Sequence, residues 1–228
     1  MWCIAVLTQE YRQRMYALLE LYASPLSQTE PVVCIDEKSL QLIAHSRAAL
    51  PMTARGATKQ DYEYVRNGTT NLFVAVEIEP KGGQRIVEVT AQRGKIDFVA
   101  FLGDLLTHAY AKARRVHLVL DNLNTHFRKS FEDVLGKRAA AKLLRRVHFH
   151  YTPKHASWLN MAEIEIGILS RQCLDRRIPS RELLQSEVNA WQESSKRPEA
   201  KDRMEVHSSG CRSKAWSALC SVTCVLTY

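Results

Sequence analysis

Three acidic positions stand where metal-assisted chemistry would need them. Asp36 closes the apolar run Pro31-Val-Val-Cys-Ile-Asp36, and Asp121 closes Val116-His-Leu-Val-Leu-Asp121. Short runs of this kind read as central strands buried on both faces. Ligands in open α/β sheets collect at the carboxyl ends of strands, so neighbouring strands would bring both carboxylates into one crevice. A hard, oxygen-seeking cation such as Mg²⁺ or Mn²⁺ relieves the repulsion between them. The helix after the last strand offers a third ligand from two acids, Glu163 and Glu165. At about 100° per residue these two point about 200° apart, so only one can face the crevice. Glu163 lies one turn after Leu159 and one before Gly167, whose small size leaves room for approach. Glu163 is therefore the expected ligand, with Glu37 and Glu165 as the neighbouring acids against which the assignment is tested. A lone Asp after an apolar strand is ordinarily a turn or cap residue; two of them, followed by a helix acid, favour a shared site. Two ions about 3.5 to 4 Å apart would activate a water or a 3′-hydroxyl and stabilise the leaving oxygen at phosphorus. No Ser or Cys nucleophile motif competes with this chemistry.

The elements that would position these acids follow from pattern. Residues 9–23 carry Tyr11, Met15, Leu18, Leu19 and Tyr22 at helical spacing, ahead of a Pro25–Pro31 turn region. The first strand spans 31–36. Residues 46–69 mix Pro, Gly, Arg and Lys without period and read as a long basic loop containing Arg47, Arg55, Lys59 and Arg66. Strands over 71–79 and 85–92 join across Pro80-Lys81-Gly82-Gly83, which is hairpin chemistry. A helix over 95–113 feeds the strand 116–121; a polar helical stretch over 127–146 feeds the strand 147–151. Thr152-Pro153 ends that strand, and a last helix runs from about Ser157 to about Arg176. The order implies an α/β fold with an antiparallel hairpin joined to parallel crossovers in a mixed sheet flanked by helices.

Composition sets the outer limits. With 46% hydrophobic and 25% charged residues in 228, the chain can bury a full core, which excludes a disordered polymer. A formal charge of +8 favours a polyanionic partner, since Lys and Arg gain affinity by releasing counterions from phosphates. The six cysteines form no CxxC pair, in keeping with reduced thiols in a cytosolic protein. The apolar opening is too short for a signal segment, and Ala215–Tyr228 falls short of a membrane span.

Three segments now carry a resemblance. Val32-Val-Cys-Ile-Asp-Glu-Lys-Ser39, Val116-His-Leu-Val-Leu-Asp-Asn-Leu-Asn-Thr-His126 and His150-Tyr-Thr-Pro-Lys-His-Ala-Ser-Trp-Leu-Asn-Met-Ala-Glu163 closely resemble the DDE-type transposases of bacterial insertion sequences in the mariner-type superfamily, in the family's order. The resemblance covers about residues 1–193 and implies a ribonuclease H-like fold, two divalent metals (Mg²⁺ or Mn²⁺), and cutting and joining of double-stranded DNA at transposon ends and target. By position, the family's three catalytic acids fall on Asp36, Asp121 and Glu163. The family's Asn-Pro-Ile-Glu stands here as Asn160-Met-Ala-Glu163, and 41 residues separate Asp121 from Glu163, more than in many relatives. Asn122 and His126 resemble residues flanking the second Asp and are candidates to orient water or phosphate. Lys154 and His155, just before the catalytic helix, are candidate phosphate contacts. Trp158 is expected to pack rather than to stack on bases. A homodimer fits the resemblance, as does a cytoplasmic, nucleoid-associated location in a bacterium, without membrane contact.

Two departures frame the domain expectations: an N-terminal helix and linker over 1–30, a DDE catalytic domain over 31–193 and an aberrant tail over 194–228. Family members carry helix-turn-helix domains ahead of the core, and residues 1–30 contain nothing of that kind. The tail turns rich in Ser and Cys and loses periodicity after Glu193. Back-translating Met204–Trp216 and reading one nucleotide later can give Trp-Arg-Phe-Thr-Ala-Gln-Asp-Ala-Glu-Ala-Lys-Leu, which resembles the family's closing segment. A frameshift after Glu193 is the hypothesis, and codons incompatible with that reading would end it. Besides an active transposase core, two functions fit the sequence: a catalytically idle DNA-binding remnant, and another ribonuclease H-like nuclease such as a junction resolvase.

Overall fold

A computed structural model describes residues 7–50, 52, 56–57, 61–79, 83–122 and 126–195. The proposed shifted segment of the tail lies outside them. One compact unit runs to Val188; a second begins at Asn189, and of it only the end of a helix to Ser195 is described.

Five strands form one sheet: β1 (Val32–His45), β2 (Tyr64–Glu77), β3 (Arg85–Thr90), β4 (Val116–Leu120) and β5 (Val147–Tyr151), in the order β3-β2-β1-β4-β5. β1, β2 and β3 pair antiparallel, while β4 pairs parallel with β1 and β5 parallel with β4. This is the mixed sheet expected from the pattern. β1 is longer than expected. Its first stretch, Val32–Ile35, is buried between helices, and the rest, which mixes polar and apolar residues, continues to His45, partnered on β2 alone. The same ribbon claims residues 64–69, which the sequence pattern assigned to a loop.

Helices cover both faces. On one side lie α2 (Lys95–Asp104), α3 (Arg128–Leu135) and α4 (Lys137–Leu143), packed with Val33, Ile35, Phe73, Leu118 and Leu120. Phe98 and Phe131 from these helices meet edge to face, 5.9 Å between ring centroids, a geometry that adds to their area burial. On the other side, Met15 and Leu18 of α1 (Gln9–Ala23) join Val32, Cys34, Val119, Leu159 and Ala162, the last from α5 (Ala162–Leu169). The alternation of β1 between the two clusters is the period of 2 that sends successive side chains to opposite faces. Gly136 adopts φ +79°, a left-handed value that suits glycine, and divides the expected 127–146 helical stretch into α3 and α4. α2 and α5 each close in a π-helical turn, at Leu105–Ala109 and Ser170–Leu174. A final helix, α6, spans Arg181–Ser195. No described helix is long and apolar enough to cross a membrane.

Candidate active site

Register brings the first two acids together. Cys34 on β1 stands opposite Val119 on the parallel strand β4. Two residues further along come Asp36, still within β1, and Asp121, just past the end of β4. Cys34 and Val119 both face the α1–α5 side, and the period of 2 turns Asp36 that way too. Asp36 is not the last residue of its strand, as the sequence suggested; it is the point where β1 loses β4 as a neighbour, because β4 ends at Leu120. The electrostatics record the crowding. Partial burial and the negative charges of Asp121, Glu163 and Glu37 raise the Asp36 carboxyl to about 6, against a hydrogen bond from the Glu37 backbone N–H at 2.8 Å.

The two acids at the start of α5 differ in what they meet. Glu165 is 5% exposed and forms an ion pair at 3.0 Å with Arg85 of β3, so it belongs to the underside of α5. Burial pushes its carboxyl upward, partly offset by Arg85. Glu163 lies on the exposed side of the same first turn and is near enough to perturb Asp36. Asn160 fixes the start of the helix: its side-chain amide donates to the Ile35 carbonyl at 2.8 Å and its carbonyl accepts from Ala162 N–H at 3.2 Å. α5 is thereby tied to β1 one residue before Asp36. The Tyr22 hydroxyl donates to the Leu159 carbonyl at 2.8 Å and holds the same turn from α1. The signal for Asn160 was present in the motif Asn160-Met-Ala-Glu163, but its structural task was not visible there.

His126 has a different place from the one expected. It is completely buried and so does not meet phosphate directly. Its Nδ1 lies 2.6 Å from Asp121 and its Nε2 3.0 Å from Glu37, while its ring lies against Phe98 at 4.4 Å. Burial draws its pKa down, but bonds and charges from Asp121 and Glu37 outweigh this and raise it to about 9, so both nitrogens donate at neutral pH. Glu37 has a nearly buried side chain, with one oxygen on His126 and the other, Oε2, without a hydrogen-bond partner among the described residues. The supposed decoy is thus the far anchor of a Glu37–His126–Asp121 chain.

Asn122 is also engaged internally. It donates to the Thr152 carbonyl at the end of β5 and accepts from Arg14 of α1 at 2.8 Å. Lys154 and His155 are exposed just beyond β5, His155 with φ 61° in the left-handed region. Trp158 is 52% exposed, which corrects the expectation that it packs inside. In the basic ribbon, Arg47 pairs with Asp61 at 3.5 Å and Arg66 donates to the Tyr64 hydroxyl at 3.1 Å; Arg55 and Lys59 lie outside the described residues.

The donors are carboxylate oxygens, the chemistry that suits Mg²⁺ or Mn²⁺. They are neighbours in charge rather than a ready cage: among the described residues, no three His, Cys, Asp or Glu stand in metal-holding geometry.

The comparison with protein families is decisive for membership. The model of the DDE superfamily endonucleases matches residues 31–185. The chain belongs to that superfamily. This DDE endonuclease domain has its solved likenesses in Mos1 mariner transposase. It superposes on the Mos1 paired-end complex with Mn with a TM-score of 0.56 at 16% identity, covering 89% of this chain and 60% of that one. For the Mos1 strand transfer complex the values are 0.53, 17%, 91% and 61%. These likenesses establish the ribonuclease H-like fold, and this chain spans about 60% of the Mos1 chain's length. No curated protein matches the DDE domain.

Proposed function

We propose that this DDE endonuclease domain is the catalytic core of a transposase, of the kind found in bacterial insertion sequences, cleaving double-stranded DNA at transposon ends and joining it to target DNA. The observation that supports the reading is the β1–β4 register leading up to Asp36 and Asp121, with the charges of Asp121 and Glu163 both reaching the Asp36 carboxyl. Asp36, Asp121 and Glu163 would hold two Mg²⁺ or Mn²⁺ ions. Bound there, the ions would activate a water or a 3′-hydroxyl and neutralise the leaving oxygen at phosphorus. His126 acts as a positioning residue, fixing the rotamer of Asp121 while keeping its own bulk out of the crevice. Asn160 and Tyr22 set the height of Glu163 above the sheet. Lys154 and His155 lie at the same end of the strands, where exposed polar side chains meet a phosphate backbone. The Mos1 transposase structures are complexes with a transposon end, with Mn and with Mg, which supports the same chemistry here.

The test is nicking of supercoiled DNA by purified protein with Mg²⁺ or Mn²⁺. Asp36→Asn, Asp121→Asn and Glu163→Gln should each abolish nicking while DNA binding persists. Nicking that survives Asp121→Asn would overturn the site. One observation favours a second reading, a DNA-binding remnant without catalysis: the acids are not already in metal-holding geometry. Binding without nicking at any metal concentration would select it.

A further inference from the structure

At the other end of the strands the topology gathers positive charge. Two basic runs, Lys112-Ala-Arg114-Arg115 and Lys142-Leu-Leu-Arg145-Arg146, immediately precede β4 and β5. Because Val116 pairs with Val147 in the parallel ladder, the two Arg-Arg pairs arrive at one level on adjacent strands. Arg114, Arg115, Arg145, Arg146 and His148 line a cavity of about 510 Å³ there.

Their partners show which of these charges serve the fold. Arg146 donates to the carbonyls of Ala113 at 2.7 Å and Ala111 at 2.9 Å, and also to Leu106, closing the turn after α2. Arg114 is held by Glu30 at 2.6 Å. Arg115 reaches the same carboxylate only at 4.0 Å and remains 46% exposed. Arg145 is exposed and has no hydrogen-bond or ion-pair partner among the described residues. Four arginines therefore line one cavity against a single carboxylate, and two of them, Arg115 and Arg145, are not held closely by the fold. Guanidinium forks of that kind match phosphate geometry.

We propose that this cavity is a second phosphate-binding site, which holds the backbone of DNA other than the stretch at the carboxylates, with Arg115 and Arg145 as its principal contacts. Five strand residues separate the two levels, a distance of about 17 Å at ~3.3 Å per residue. The proposal rests on the DNA-processing reading for its ligand but not on catalysis.

The full chain is tested in metal-free buffer, where cutting plays no part. Arg115→Gln/Arg145→Gln and the charge-keeping Arg115→Lys/Arg145→Lys are compared with the parent for binding to a short duplex across a salt series. Each phosphate contact contributes about 0.9 to the slope of log K against log salt, so the Gln pair should flatten the slope by about 1 to 2 and the Lys pair should leave it in place. In the parent protein, phenylglyoxal labelling of Arg115 and Arg145 should fall when the duplex is bound. Two duplexes per chain at saturation, falling to one in the Gln pair, identify a second DNA; one throughout identifies a distal part of the same duplex. Labelling indifferent to DNA overturns the proposal, whatever the slope does, since a slope change alone is a bulk charge effect. The labelling arm needs no variant, so a Gln pair that failed to fold would not obscure the result. A chain that nicks DNA but leaves these arginines unprotected sinks this site and spares the catalytic one; protection without nicking does the reverse.

Discussion

Replacing His126 with Leu tests the network that joins Asp121 to Glu37. The substitution keeps approximate volume against Phe98 but removes both bonds, at 2.6 Å to Asp121 and 3.0 Å to Glu37. Asp121 can turn to water, since its side chain is 30% exposed; Glu37 cannot, at 3%. The loss is therefore that of one buried charge stripped of its partner, about 3 to 5 kcal/mol. For a chain of this size, that corresponds to a fall in Tm of about 6 to 20 °C, at ~2 to 4 °C per kcal/mol. Adding Glu37→Met removes the stranded carboxylate as well, so the double variant should regain at least half of the loss. Urea unfolding followed by circular dichroism measures all three proteins. If His126→Leu/Glu37→Met is no more stable than His126→Leu, the burial of an unpaired carboxylate is not what the single change costs, and the reasoning fails.

Acid should weaken the fold through the pair His117–His150, whose ring nitrogens lie 3.0 Å apart. Burial and the neighbouring histidines lower His150 to about 4, so between about 6.5 and 4 the unfolded chain binds a proton that the folded chain refuses, and stability falls as pH drops through that window. The full linkage is about 3 kcal/mol, less with solvent screening, and His150→Gln should flatten the unfolding free energy between pH 6.5 and 4; an unaltered pH profile would count against it. Asn160→Ala strands the Ile35 carbonyl and uncaps α5, which should cost about 1 to 3 kcal/mol and reduce nicking more than binding, as measured by parallel unfolding and plasmid assays. Arg85→Met leaves Glu165 buried without its ion pair and should cost about 3 to 5 kcal/mol in urea unfolding, with Arg85→Met/Glu165→Met recovering most of it; no recovery would show that the pair is not the source of the loss.

What the sequence disclosed, and what it hid, divides along physical lines. The halves of strands that face two layers of helices announce themselves as apolar runs, so Val32–Ile35, Val116–Leu120 and the order of elements could be read directly. The outer part of β2 could not, because there it pairs with β1 alone and lies open to solvent, with polar residues such as Arg66, Asn67 and Thr69. The π-helical turns after α2 and α5 keep the spacing of a helix and differ from it only in hydrogen-bond partners, which composition does not encode. Among site residues, Asp36, Asp121 and Glu163 were marked by their positions after strands and on a helix. The roles of Glu37, His126 and Asn122 were not, since each is fixed by a partner remote in the chain. Trp158 was misjudged because a large aromatic near a helix start usually packs, and here the turn at Ser157–Leu159 buries Leu159 instead.

The parallel pairing of β1 with β4 has a consequence for how the protein comes into being. The hairpin bearing Asp36 leaves the ribosome long before β4 does, and the helix bearing Glu163 emerges later still. Closing such long intervals is slow, because distant segments must find each other before any contact rewards them. A nascent or truncated chain that stops short of α5 therefore carries Asp36 and Asp121 without Glu163, and the three acids can meet only once that helix has been made.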